Sequence, residues 1–252
     1  MKRYLIVGFL VVGLLTLAMV PCTSAKDMKG TFFIGGNLGY ALTDMEGPND
    51  WFGFLADPDN YGWIESSSID ELGGGLTYGG ELGYFVTSKV GVGMKLALLS
   101  REGNVTVIDG SDDEHIVEDK VSATIIGAGG KFVVLDPPSV LGTVGGGLLY
   151  GSVDYEENVT EPGETWERKG EGTGLGFYVD GGVLFFLSEM MALDLNLMYS
   201  ALKLSEIENK GDGWGLSDEG EPLKVYYGDF DLKDLEIDLG GLAFLVSLHF
   251  YF

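Results

Sequence analysis

From residue 31 onward, apolar side chains return at every second position in eight blocks, roughly 31–41, 75–86, 90–100, 121–134, 140–153, 173–187, 191–203 and 240–252. A repeat of two is the signature of strands, whose successive side chains point to opposite faces. Each block is close to the 9–11 residues a tilted strand needs to cross a bilayer. The last is the clearest: Leu242, Phe244, Val246, Leu248, Phe250 and Phe252 fall on one face, and Ala243, Leu245, Ser247, His249 and Tyr251 on the other. The spacers alternate too. They run long (42–74), short (87–89), long (101–120), short (135–139), long (154–172), short (188–189) and long (204–239). A soluble sandwich has no reason to segregate its connections in this way, whereas an up-and-down barrel with tight turns at one end does. The expected fold is all-β: an eight-stranded antiparallel up-and-down transmembrane β-barrel with four long external loops.

Strand direction supplies a second test. With the first strand running away from the short-turn end, the outward aromatics near that end are Phe32, Tyr84, Phe132, Phe185, Phe250 and Phe252. Near the other end they are Tyr40, Tyr78, Tyr150, Phe177 and Tyr199. Two girdles with aliphatic residues between them are what two bilayer interfaces select.

The first 25 residues carry a different signal. Lys2 and Arg3 precede a 17-residue apolar run, 4–20, and Thr23-Ser24-Ala25 offers small residues before Lys26. This predicts a cleaved secretory signal peptide over 1–25 and a single barrel domain over 26–252. The lone Cys22 cannot form an internal disulfide, and there is no zinc-type Cys/His spacing. With 15 Lys and Arg against 39 Asp and Glu, the formal charge is −24, which repels a phosphate backbone, so nucleic acid is not an expected partner. No cofactor is expected.

The leader, the alternating glycine-rich strands and the closing LAFLVSLHFYF resemble bacterial outer-membrane β-barrels of the small OmpA/OmpX type, over residues 30–252. The resemblance implies residence in the bacterial outer membrane, contact with its lipid and lipopolysaccharide, and a terminal aromatic strand read by the barrel-insertion machinery. Phe250 and Phe252 match that insertion signal. It implies no single activity, because the class hosts adhesins, anchors, narrow channels and a few lipid enzymes.

Eight strands enclose just enough space for side chains, so a packed lumen is expected. Asn37, Glu81, Lys95, Lys131, Asp180, Asp194 and Asn196 face inward by parity. Buried charges demand partners. A turn centred on Ser88 places Glu81 directly opposite Lys95, while Lys131 has two candidates across the lumen, Asp180 and Asp194.

Of the 39 acidic residues, 33 fall in the four long connections. They form a solvated rim, and Asp57, Asp59, Asp109, Asp112, Asp113, Asp229 and Asp231 are the carboxylates that could collect divalent cations. Asp57-x-Asp59 begins like a calcium loop, but Ser68 stands at its twelfth position. Alternation on both sides of Asp109-Gly110-Ser111-Asp112 predicts a hairpin rising above the membrane. Trp51, Phe52, Phe54, Trp63, Trp166, Trp214, Tyr226 and Tyr227 are expected to pack the loops together or to form a binding patch. Leu235, Ile237 and Leu239 have the opposite parity to Leu242 and Phe244, which predicts a β-bulge at Gly240-Gly241.

The chain has two histidines, His115 and His249, so catalysis is not expected. The expected role is structural or surface-interacting, through acidic loops that meet cations, lipopolysaccharide or another external surface. The alternatives are a narrow cation-preferring channel and an outer-leaflet hydrolase of lipid or peptide using His115.

Overall fold

The computed structural model describes residues 28–43, 45–136, 140–210, 219–227 and 231–252. Residues 1–27, with the expected signal peptide and Cys22, residues 137–139 of an expected tight turn, Trp214, Asp229 and the side chains of Tyr226, Tyr227 and Asp231 lie outside the described set. In chain order the elements are β1 (Phe32–Thr43), α1 (Glu46–Ala56), β2 (Ile64–Asp70), β3 (Gly75–Phe85), β4 (Val90–Asp109), β5 (Glu114–Leu135), β6 (Val140–Glu161), β7 (Glu164–Ser188), β8 (Met191–Asn209), β9 (Lys224–Tyr227), β10 (Asp231–Asp234), β11 (Ile237–Asp238) and β12 (Gly241–Tyr251).

Eight of the strands close a ring. Each pairs antiparallel with the next, in the order β1, β3, β4, β5, β6, β7, β8, β12 and back to β1. Closure leaves no free edge in the lipid, where an unpaired backbone group would cost several kcal/mol. Phe252 completes the seam: its N–H donates to the Phe32 carbonyl at 2.9 Å and its own carbonyl accepts from Phe32 at 3.2 Å. The outward band is apolar and both girdles are present, with Phe32, Phe132, Phe250 and Phe252 exposed at one end and Tyr40, Tyr78, Tyr150, Phe177 and Tyr199 at the other.

The wall does not stop at the outer girdle. Two of the spans read from sequence as external loops, 101–120 and 154–172, are strand, so β4 to β7 run for 20–25 residues. Tight turns close them. Gly163 follows Pro162 with φ 92°, as the third position of a Pro-Gly type II turn requires. In the predicted hairpin the Asp112 N–H donates to the Asp109 carbonyl at 3.0 Å, and Asp112 takes the left-handed conformation at φ 62°.

A row of directly paired outward residues marks where the strands leave the lipid. Thr124 is opposite Ser152, and Ser152 opposite Thr173. One step below, Ile126, Tyr150 and Leu175 are exposed apolar groups; above, the outward positions include Glu118, Lys120, Asp154, Glu156, Lys169 and Glu171. The inward positions change the other way, from Lys95, Lys131 and Asp180 below to Val121, Val153 and Leu202 above.

Above this row β1, β3 and β12 have ended. β2 takes the place of β3 beside β4, and β11 continues the edge of β8. Helix α1 packs against β2, β4, β9 and β11 and closes the mouth. Its sequence, EGPNDWFGFLA, is poor in helix formers, and packing holds it. Trp51, Phe52 and Phe54 are buried, as the packing expectation had it, whereas Trp63 is exposed. The Asn49 side chain adds a pair of hydrogen bonds to the Leu72 backbone, at 2.8 and 2.9 Å.

The predicted bulge at Gly240-Gly241 is absent. Ile237 is opposite Leu204 and Gly241 opposite Ser200, four steps on each strand, so the register of the chain against β8 never shifts. Leu235, Ile237 and Leu239 are buried inward in an apolar layer above the lipid. Their parity differs from Leu242 because the apolar side of the wall changes there, not because the strand slips.

Candidate functional site

Inside the lipid-spanning part the charged side chains form one belt. Glu81 and Lys95 are register partners on β3 and β4, with Nζ and Oε2 3.8 Å apart. Lys95 also pairs with Asp180 of β7. Lys131 of β5 lies 3.0 Å from Glu81 Oε1 and 3.3 Å from Asp194 Oδ2 of β8. Of its two candidate partners Lys131 thus takes Asp194, and Asp180 goes to Lys95. The belt runs Asp180, Lys95, Glu81, Lys131, Asp194, three carboxylates with two ammoniums.

Three members escaped the sequence reading. His249 lies 4.0 Å from both Glu81 Oε2 and Asp194 Oδ2, fully buried, although parity had placed it inward. Lys95 stands over the Tyr178 ring at 4.9 Å, and Lys131 over Phe33 at 5.6 Å. Close packing explains part of the glycine content: a Cβ on Gly35 would lie 2.0 Å from the His249 ring, and one on Gly145 2.3 Å from Asp180.

Apolar layers lie on both sides of the belt. Below it Met28, Phe33, Phe85, Val133, Leu141, Leu184 and Tyr251 fill the lower end. Above it Leu99, Val121, Val153, Leu202 and Leu239 join the buried face of α1. A cavity of about 50 Å³ remains between the belt and the dome, the α1-capped part of the barrel above the hydroxyl row.

Within the dome sits a second polar group that the sequence reading missed. Arg168 grips Glu157 with two nitrogens, at 2.7 and 2.6 Å. The indole of Trp51 on α1 donates to Glu157 Oε2 at 3.0 Å. The Tyr155 hydroxyl lies 2.8 Å from Asp119 Oδ2 and 3.0 Å from Glu157 Oε2. Burial, with Glu157 nearby, pushes the Asp119 carboxyl well above the usual carboxylate range. Extending the period of two past Val121 and Val153 would have placed these side chains inward.

Among the described residues the expected cation-collecting carboxylates are not gathered. Asp57 Oδ1 accepts from the Asp59 N–H at 2.9 Å, and Asp109 Oδ1 accepts from Ser111 and Asp113, at 2.7 and 3.0 Å, so these two acids shape turns. The Ser111 and Asp113 amides hold the Asp109 carboxyl below the usual range. Asp59, Asp112 and Asp113 are exposed. Among the described residues no set of three or more His, Cys, Asp or Glu is placed to hold a metal ion. His115 stands 3.6 Å from Asp109 and 3.8 Å from Glu161, beside the Trp63 ring. At the rim an open cleft of about 620 Å³ is walled by Glu46, Asp50, Asp234, Glu236 and Asp238, with Lys203 paired to Glu236.

A closed antiparallel ring, an apolar outer band between aromatic girdles and a charged, filled interior define a transmembrane β-barrel of the outer-membrane kind. Residues 10–219 match the family described as outer membrane protein beta-barrel domain, and the chain belongs to that family of bacterial outer-membrane proteins. No curated protein matches the chain. Among solved structures it is similar to the outer membrane protein OprG of Pseudomonas aeruginosa, with 12% identity, a TM-score of 0.47, and coverage of 89% of this chain and 97% of that one. It is also similar to the N-terminal β-barrel domain of Pseudomonas aeruginosa OprF, with 11% identity, TM-score 0.41 and coverage of 89% and 98%. The attachment invasion locus protein Ail of Yersinia pestis gives 11%, 0.40, 89% and 100%.

Proposed function

We propose that this protein is a rigid surface-interaction barrel whose lumen is a structural plug and whose working face is the acidic dome outside the membrane. The observation that carries this reading is the filled interior: an ion-paired belt with an apolar layer above and another below. Ions crossing such layers would shed their water without replacement. The dome offers carboxylates at its hairpin tips and rim cleft to divalent cations, lipopolysaccharide or another external surface. Export by removal of residues 1–25, and insertion through recognition of Phe250 and Phe252, belong to the same proposal.

The test is the electrical conductance of refolded residues 26–252 in a planar bilayer, with Glu81→Gln as control. Silence from a verified folded barrel is the expected result. Reproducible steps altered by Glu81→Gln would replace this reading with a narrow channel. A companion experiment removes the hairpin tip 109–113 and measures binding to lipopolysaccharide vesicles with and without Mg²⁺; loss of binding by a folded barrel is expected, and unchanged binding overturns the working face. A lipid- or peptide-cleaving activity abolished by His115→Ala would replace the whole reading with the hydrolase alternative.

A further inference from the structure

The polar group inside the dome has a hydrogen count that does not close with both acids ionised. Glu157 has three donors already, two from Arg168 and one from Trp51. It is therefore the ionised partner of the guanidinium. Asp119 has no cation of its own, and its Oδ1 has no hydrogen-bond partner among the described residues. Its one hydrogen-bond partner among the described residues is the Tyr155 hydroxyl, which carries a single hydrogen but lies within 3.0 Å of both acids. If that hydrogen goes to Asp119, a bare phenol oxygen faces a Glu157 carboxylate oxygen. If it goes to Glu157, a bare Asp119 oxygen faces the phenol. One more proton removes the conflict: Asp119 O–H donates to Tyr155, and Tyr155 O–H donates to Glu157. It also reduces the charge of this buried group from −1 to zero.

We propose that Asp119 sits in the closed dome as an un-ionised carboxylic acid, first donor of a relay through Tyr155 and Glu157 to Trp51, and that its ionisation releases helix α1 from the barrel mouth. The groups around Asp119 leave the proton no competitor. From β6 come Tyr155 and Glu157, and from β7 Arg168, already bidentate to Glu157. β4 places Gly103 opposite, and its Arg101 donates to the carbonyls of Gly75, Leu76 and Ser100. α1 presents the neutral Trp51. A carboxyl that holds its proton in the closed form favours that form at low pH, and the advantage is lost as pH rises through its elevated folded value. Ionised Asp119 places two carboxylates around one arginine in a dry interior, on the same Glu157 that anchors Trp51.

The experiment compares wild type with Asp119→Asn, whose amide can donate to Tyr155 but cannot ionise. Hydrogen exchange of segment 46–56 is followed from pH 5 to 9, and the ratio of the two rates cancels the intrinsic pH dependence of exchange. That ratio is expected to climb with pH, by up to about tenfold per unit; a flat ratio overturns the proposal. Infrared spectra at neutral pH should show a carboxylic-acid carbonyl band that Asp119→Asn removes, and a band unchanged by the substitution would place the proton elsewhere and overturn the proposal as well. If Asp119→Asn does not fold, Tyr155→Phe serves: taking away the acceptor must shift that same band, and no shift refutes the relay.

Discussion

Below the hydroxyl row of Thr124, Ser152 and Thr173 the barrel carries its apolar side chains outside and its charges inside; above it the same strands, in unbroken register from β4 to β7, turn most of their charges outward and, apart from Arg101 and the group around Asp119, Glu157 and Arg168, their apolar side chains inward. Backbone geometry is common to both storeys. What differs is the solvent on the outer face, lipid below and water above. The lower storey holds together by backbone closure and a paired belt, because its outer face gains nothing from burial against protein. The upper storey is an ordinary soluble core, stabilised by apolar area removed from water and closed by a helix where three strands of the ring are missing.

The comparison can be broken most severely at the belt. Lys131→Met leaves Glu81 and Asp194 facing each other without their shared cation, and a loss of about 3–5 kcal/mol is expected from urea unfolding in lipid or detergent. Next is a matched pair on the outer face. Leu82→Arg faces lipid and should cost about 2–4 kcal/mol, whereas Thr106→Arg, outward on β4 above the row, should stay within about 0.5 kcal/mol; equal penalties would erase the boundary between storeys. Trp51→Phe keeps much of the packing but removes the hydrogen bond to Glu157. It should weaken α1 by about 1.5–3 kcal/mol in local hydrogen exchange while leaving unfolding of the lower ring unchanged. The smallest effect belongs to Asp109. Its carboxyl is held below the usual range by the Ser111 and Asp113 amides, so its support of the hairpin tip is present above the unfolded value near 3.9 and fades as pH falls through the lower folded one. Asp109→Ala should remove that acid sensitivity from exchange at residues 110–113.

Sequence reading recovered the lower storey well. Periodicity, spacer lengths and girdles fix eight strands, and the three-residue turn at Ser88 is enough to set Glu81 against Lys95. It could not decide between Asp180 and Asp194 for Lys131, because that contact crosses the lumen and depends on the stagger of the closed ring. The upper storey misled it for one reason: a single apolar face was assumed along each strand. Under that assumption the inward Leu235, Ile237 and Leu239 demand a bulge and the outward acids of 154–172 look like loop, whereas over 101–120 the alternation on both sides of Asp109-Gly110-Ser111-Asp112 did give the hairpin. Helix α1 was hidden because its glycines and proline argue against a helix, and only the cradle formed by β2, β4, β9 and β11 makes Trp51, Phe52 and Phe54 a helical face.

The belt draws its five charges from β3, β4, β5, β7 and β8, so no single hairpin contains its full complement. The β3–β4 hairpin carries Glu81 and Lys95 as a pair, but β5–β6 entering the bilayer alone would drag Lys131, and β7–β8 both Asp180 and Asp194, unneutralised through hydrocarbon, and a hairpin slipped by a single residue would aim its charge at lipid. The belt therefore works as a checksum on assembly: the sum comes right only when the ring has closed in the correct register, and until then these side chains must stay wet.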